Sequence, residues 1–245
     1  MFDFKDARYT HMPFAAPDEN GRPKEFCCIM VDGLWKLHHF TGKRWKRIRT
    51  GLPEDAIECA PCAEFEDGMW KITFIAGGAA KDRRFRLYRI YGIGGEAIPQ
   101  IEADVGFVRK DRVVYAGRRG PIRIVEPGRT VTLELPEAEF LYHVSYDPFQ
   151  SNRLLISGQF RSGEIFSWAY HPGVNKLYEI IADGVPAYKA AFYGEDCFYA
   201  RRAGEFEERH IVRAEMWELN ELSANEHIAE SEERTFFRSP NMEFE

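Results

Sequence analysis

The chain has 245 residues, a formal net charge of −6, 44% hydrophobic and 14% aromatic residues. That is enough apolar and aromatic material to fill a core, so wholesale disorder is excluded, and the length suits one repeat domain. No apolar run approaches the roughly 20 residues of a membrane helix, and the acidic balance argues against a nucleic-acid coat.

Met1-Phe2-Asp3-Phe4-Lys5-Asp6 carries early acids and no apolar stretch, so no signal peptide is read there. The five cysteines include the neighbours Cys27 and Cys28, which face opposite sides of a strand and do not bridge each other. Reduced thiols are expected, and with them a cytoplasmic location or an assembled particle. Charge is uneven: residues 43–129 hold 18 Lys+Arg against 12 Asp+Glu, and the stretch after Glu215 is strongly acidic.

In chain order, residues 2–9 alternate at Phe2, Phe4 and Tyr9 and are expected to form a strand that closes a ring. Prolines then punctuate at Pro13, Pro53, Pro99, Pro136 and Pro186, about one per 40 residues. Asp32-Gly33 before Leu34-Trp35-Lys36-Leu37 signals a hairpin in the first unit. The second unit offers strands at Ile57–Phe65, Met69–Ile75 and Phe85–Tyr91, turned by Asp67-Gly68. The third offers Val105–Val108, Val113–Ala116, Pro121–Val125 and Thr130–Leu135. The fourth is the clearest: Phe140–Tyr146, Leu154–Gly158, Glu164–Tyr170 and Lys176–Ile181, joined by turn residues. The fifth offers Tyr188–Tyr193, Phe198–Arg201 and His210–Trp217.

Five units of up to four short strands are the signature of an all-β, five-bladed β-propeller, expected over residues 1–222. Ser223-Ala224-Asn225-Glu226 has capping-box spacing, so 223–245 is read as a short C-terminal helix, running to about Arg234, and an acidic tail.

The first strand of each blade lines a propeller's central channel. Aligning the units by their prolines gives a column of His11, Glu58, Glu102, His143 and Lys189, with Asp104 two residues beyond Glu102. Carboxylates facing each other across a narrow channel raise one another's pKa, while a Lys or protonated His opposes that. Glu58 and Glu102 are therefore the candidate catalytic pair for work on a glycosidic bond. His11, Asp104, Tyr142, His143, Tyr188 and Lys189 are the candidate ligand-binding residues. No cofactor is expected, although His11, Glu58, Glu102 and His143 also suit a divalent metal.

Glu58-Cys59-Ala60-Pro61 followed by Glu66-Asp67-Gly68-Met69-Trp70 resembles the acidic-small-Pro stretch and D-G-x-aromatic hairpin of five-bladed glycoside-hydrolase propellers of the arabinanase, invertase and levansucrase type. The resemblance covers about 17 residues of 245 and implies a general-acid role for Glu58. The chain departs from that family at His11, where an Asp base would stand, and its third acid could only be Glu102 or Asp104, neither in the expected Asp-Pro context, since Asp147-Pro148 falls in a turn beyond the ring.

Two further signals read as structural. Cys59-Ala60-Pro61-Cys62 lacks a second pair for zinc, and its β context does not suit redox work. The basic runs Lys43–Arg47 and Arg83–Arg89 alternate with apolar residues, as charged guards of exposed sheet edges do. The functional expectation is a ligand-binding module, with a small sugar as candidate ligand. It would act in interaction or assembly, with self-association through basic blade edges and the acidic tail. A glycoside hydrolase is the alternative.

Overall fold

Asp32-Gly33 and Asp67-Gly68 each place two consecutive residues at positive φ, 50° and 79° in the first turn, 54° and 75° in the second. That is the type I′ geometry whose twist matches paired strands, and both pairs close hairpins. Repetition of such hairpins builds five antiparallel sheets. A computed structural model of the chain describes residues 14–78, 84–135, 137–149, 153–202, 209–222 and 228–231.

The first sheet orders β1 (Phe14–Pro17), β2 (Pro23–Val31), β3 (Leu34–Phe40) and β4 (Trp45–Arg47). The second orders β5 (Ala56–Glu66), β6 (Met69–Gly78), β7 (Arg86–Tyr91) and β8 (Ile98–Glu102). The third contains β9 (Val105–Arg109), β10 (Arg112–Ala116), β11 (Ile122–Glu126) and β12 (Arg129–Leu133). The fourth contains β13 (Ala138–Tyr146), β14 (Leu154–Phe160), β15 (Ile165–His171), β16 (Lys176–Ala182) and the two-residue β17 (Val185–Pro186). The fifth is β18 (Ala191–Tyr193), β19 (Asp196–Arg202) and β20 (Arg209–Arg213). The fold is an all-β, five-bladed propeller.

The chain does not stop at the fifth blade. Strand β21 (Trp217–Glu221) returns to pair with β16 of the fourth blade, Ala182 facing Trp217 and Tyr178 facing Glu221. Strand β22 (Ile228–Ser231) then pairs with β12 of the third, Leu133 facing Ile228. The final segment thus covers the outer edges of two blades, a protein's standard means of hiding unpaired backbone donors and acceptors. Residues 228–231 are extended where the sequence suggested a helix, because β12 offers them a free ladder that outweighs a local capping signal. The expected helix start at 223–227, the tail beyond 231 and the ring-closing strand at 2–9 lie outside the described residues. No helix long and apolar enough to cross a membrane occurs among the described residues.

One continuous core runs through the first four blades, from Phe14 and Phe26 through Ile72, Phe74, Phe107 and Ile124 to Val144, Phe166 and Tyr170. A second, built on Ile180, Ala187, Phe192 and Tyr199, joins the fourth blade to the fifth. Each large buried side chain contributes about 1.5–3 kcal/mol. Near the axis, Tyr146 of β13 packs 5.2 Å from Phe14 of β1 and 5.0 Å from Phe107 of β9, ring centre to ring centre. Three inner strands therefore meet through aromatic rings.

Candidate functional site

The starts of the inner strands gather at one end of the ring, and here the proline-based alignment is half right. Glu58 sits on β5 and His143 on β13, both innermost strands, and Lys189 lies in the turn just before β18. Glu102 does not join them. It ends β8, the outermost strand of the second blade, with its side chain 55% exposed and paired to Arg86 at 3.3 Å. The alignment slipped because Pro99 lies within an edge strand, where a missing N–H is tolerated, and not at a crossing between blades. The true inner strand of the third blade starts at Val105. Asp104, immediately before it, is exposed and accepts the backbone N–H of Arg118 at 2.7 Å. His11 lies outside the described residues. The set considered for a metal, His11, Glu58, Glu102 and His143, is thus not assembled by the described residues.

Glu58 is 1% exposed, and both its oxygens are already engaged. Oε1 accepts the Thr50 hydroxyl at 2.7 Å and Oε2 accepts the backbone N–H of Leu37 at 2.7 Å. Leu37 lies just beyond the reach of the short β4, so the carboxylate supplies the partner that a longer strand would have given. Next to it the buried Lys36 ammonium donates to the carbonyls of Glu54 and Ala56 at 2.6 and 2.8 Å. Together these bonds latch the first blade to the second.

The remaining predicted residues do converge. Burial first, and the Lys189 charge second, depress the His143 pKa to about 3, so its imidazole is neutral at ordinary pH. Burial raises the Cys59 thiol to about 12; Lys189 works against that shift while Asp104 and Glu58 add to it. Cys59, Asp104, His143 and Lys189 are therefore electrostatic neighbours at this mouth. Cys59 and Cys62 flank a bulge in β5, with Ala60 at φ +50°, and all five cysteines are free thiols. Burial pushes Cys62 up as well, which suits packing and not redox chemistry.

Lys189 is itself held at φ +54°, with its N–H donated to the Ser157 hydroxyl at 2.9 Å and its ammonium 5.4 Å from the Tyr188 ring centre. The Tyr188 ring meets Tyr142 edge-on at 5.8 Å. Tyr188 also lines a cleft of about 640 Å³ between the fourth and fifth blades. Phe160, Tyr188 and Tyr199 give it aromatic walls, and Glu164 and Glu179 give it carboxylates. The half-buried Glu179 carboxylate makes no hydrogen bond or ion pair among the described residues. Tyr188 was among the residues singled out from the sequence and Glu179 was not; the only sequence signal of Glu179 is a lone acid in the otherwise apolar pattern of β16.

No protein-family model matches this chain, and no curated protein matches it in sequence.

Proposed function

We propose that this propeller is a non-catalytic binding module that takes a sugar or polyol in the cleft between its fourth and fifth blades. The observation that carries the reading is the Glu179 carboxylate, with no hydrogen bond or ion pair among the described residues, in a cleft lined by three aromatic side chains. Sugar C–H faces pack on aromatic rings while their hydroxyls donate to carboxylates, and a few polar groups in an apolar cleft is the usual composition of a small-molecule site. Hydrolysis by the Glu58–Glu102 pair is disfavoured because it needs two free carboxylates flanking one bond. Glu58 is committed to Thr50 and Leu37, and Glu102 lies on an outer edge.

The test is titration of the full chain with arabinotriose, xylotriose, cellotriose and maltotriose, followed by aromatic fluorescence. Saturable binding to at least one, abolished by Glu179→Gln without loss of fold, supports the reading. No binding to any of the four, or equal binding by the variant, overturns it.

A role in assembly has its own support. Lys43, Arg44 and Lys46 are exposed around β4 at the outer edge of the first blade, whereas Glu215 and Glu218 are exposed at and just before β21 at the edge of the fourth, beside Glu221, which Lys176 already holds at 2.8 Å. Opposite charge on two sheet edges suits head-to-tail contact between copies. Self-association at low salt that disappears at high salt, read by sedimentation, is the expected outcome. A monomer at both salts ends that reading.

A further inference from the structure

The opposite end of the ring, where the inner strands finish, holds a cavity of about 300 Å³ lined by Ala16, Pro17, Glu64, Arg109, Lys110 and Tyr146 among others. Its charges are unequally satisfied. Glu64 Oε1 takes two donors, Arg89 Nη2 at 2.8 Å and the Lys110 backbone N–H at 3.1 Å. Its other oxygen lies 3.9 Å from Arg109 Nε, too far for a hydrogen bond. The Arg109 guanidinium is held 4.4 Å over the Tyr146 ring, and that ring is fixed because its hydroxyl donates to the Ala63 carbonyl at 2.5 Å. Thus Arg109 is oriented, only 18% exposed, and makes no side-chain hydrogen bond among the described residues, with Nη1 buried and unpartnered. Beyond that long ion pair to Glu64 the guanidinium has no charged partner among the described residues, and Lys110, exposed at the same rim, has no ion pair among them. Glu66, the second carboxylate in the wall, is already held by Lys71 at 2.5 Å.

A rigid guanidinium with unfilled donors is costly to leave without an acceptor, and its fork matches the two oxygens of a carboxylate or phosphate. We propose that this cavity is an oxyanion site, taking the carboxylate or phosphate group of a small ligand between the Arg109 fork and the Lys110 ammonium. It is independent of the sugar reading, since it uses other residues at another end of the ring.

The test is NMR-monitored titration of the full chain at fixed ionic strength with inorganic phosphate and, separately, with succinate, chloride serving as the reference anion. Saturable shifts are expected with at least one. Arg109→Lys keeps the charge but loses the fork and should weaken binding about ten-fold or more, the worth of a hydrogen bond to a charged group. Lys110→Gln, at an exposed position that leaves folding intact, should weaken it several-fold, and Arg161→Gln, exposed at the other end of the ring, should change nothing. Binding of phosphate alone assigns a phosphoryl ligand, and of succinate alone a carboxylate. Shifts that only follow chloride, or equal affinity in Lys110→Gln and the parent, overturn the proposal even if Arg109→Lys does not fold.

Discussion

Thr50 donates its hydroxyl hydrogen to Glu58 Oε1 at 2.7 Å, joining the end of the first blade to the innermost strand of the second. Glu58→Gln swaps one acceptor for a donor pair and should destabilise the fold by about 1–3 kcal/mol. The same change should leave sugar binding unaltered. Because Thr50→Val breaks the same bond, the double variant should lose less than the two single losses combined. Urea denaturation of the four proteins measures both.

His143 gives the protein an acid-sensitive range. Its folded pKa is about 3 against an ordinary 6.5, so the folded state disfavours protonation. The associated stability is fully present above about pH 6.5 and is lost as pH falls toward 3. Between those limits unfolding takes up about one proton through this residue, and His143→Gln should remove about one proton from the pH slope of stability at pH 4–6. Denaturation midpoints collected across that range check it.

Gly106 lies on β9 at φ +147°, and a Cβ there would meet the Val114 carbonyl oxygen at 2.2 Å. Neither the backbone angle nor the space admits a side chain. Gly106→Ala should cost about 3 kcal/mol or more, or abolish soluble expression. Gly128, in a turn with nothing within 4 Å of the added carbon but φ +75°, should tolerate alanine at a smaller loss. Thermal melts of the two variants rank them.

Trp217 anchors the returning strand. Its ring meets Phe192 edge-on at 4.9 Å, and its indole N–H donates to the Glu195 carbonyl at 3.0 Å. Trp217→Ala should cost about 2–4 kcal/mol and expose the edge of β16. Faster proteolysis after residue 214, before any global melting, is the expected readout.

The strands were legible wherever local chemistry sets them. Leu154, Lys176 and Met69 begin strands at the residues the alternation gives, and Asp-Gly turns at 32–33 and 67–68 close the hairpins they signal. Return of β21 and β22 was not legible, because pairing partners some 40 and 100 residues away leave no local pattern in Trp217–Glu221 or Ile228–Ser231. The same holds at the site. Tyr142 and His143 lie on the innermost strand their alternation gives, and Tyr188 and Lys189 in the turn before β18, but Glu102 was misplaced by a proline that marks an edge and not a crossing. Glu179 and Arg109 stand out only once neighbouring blades show which of their partners are missing.

The double return of the C-terminal segment also bears on how the protein matures. During synthesis the third and fourth blades emerge before the residues that finish them, so their outer rims stay bare until residues 217–231 have left the ribosome. A nascent molecule halted near residue 214 would present two open rims at once, and a second molecule synthesised through residue 231 could supply β21 and β22 in trans. Intact ends therefore guard against intertwined aggregates as much as they add stability.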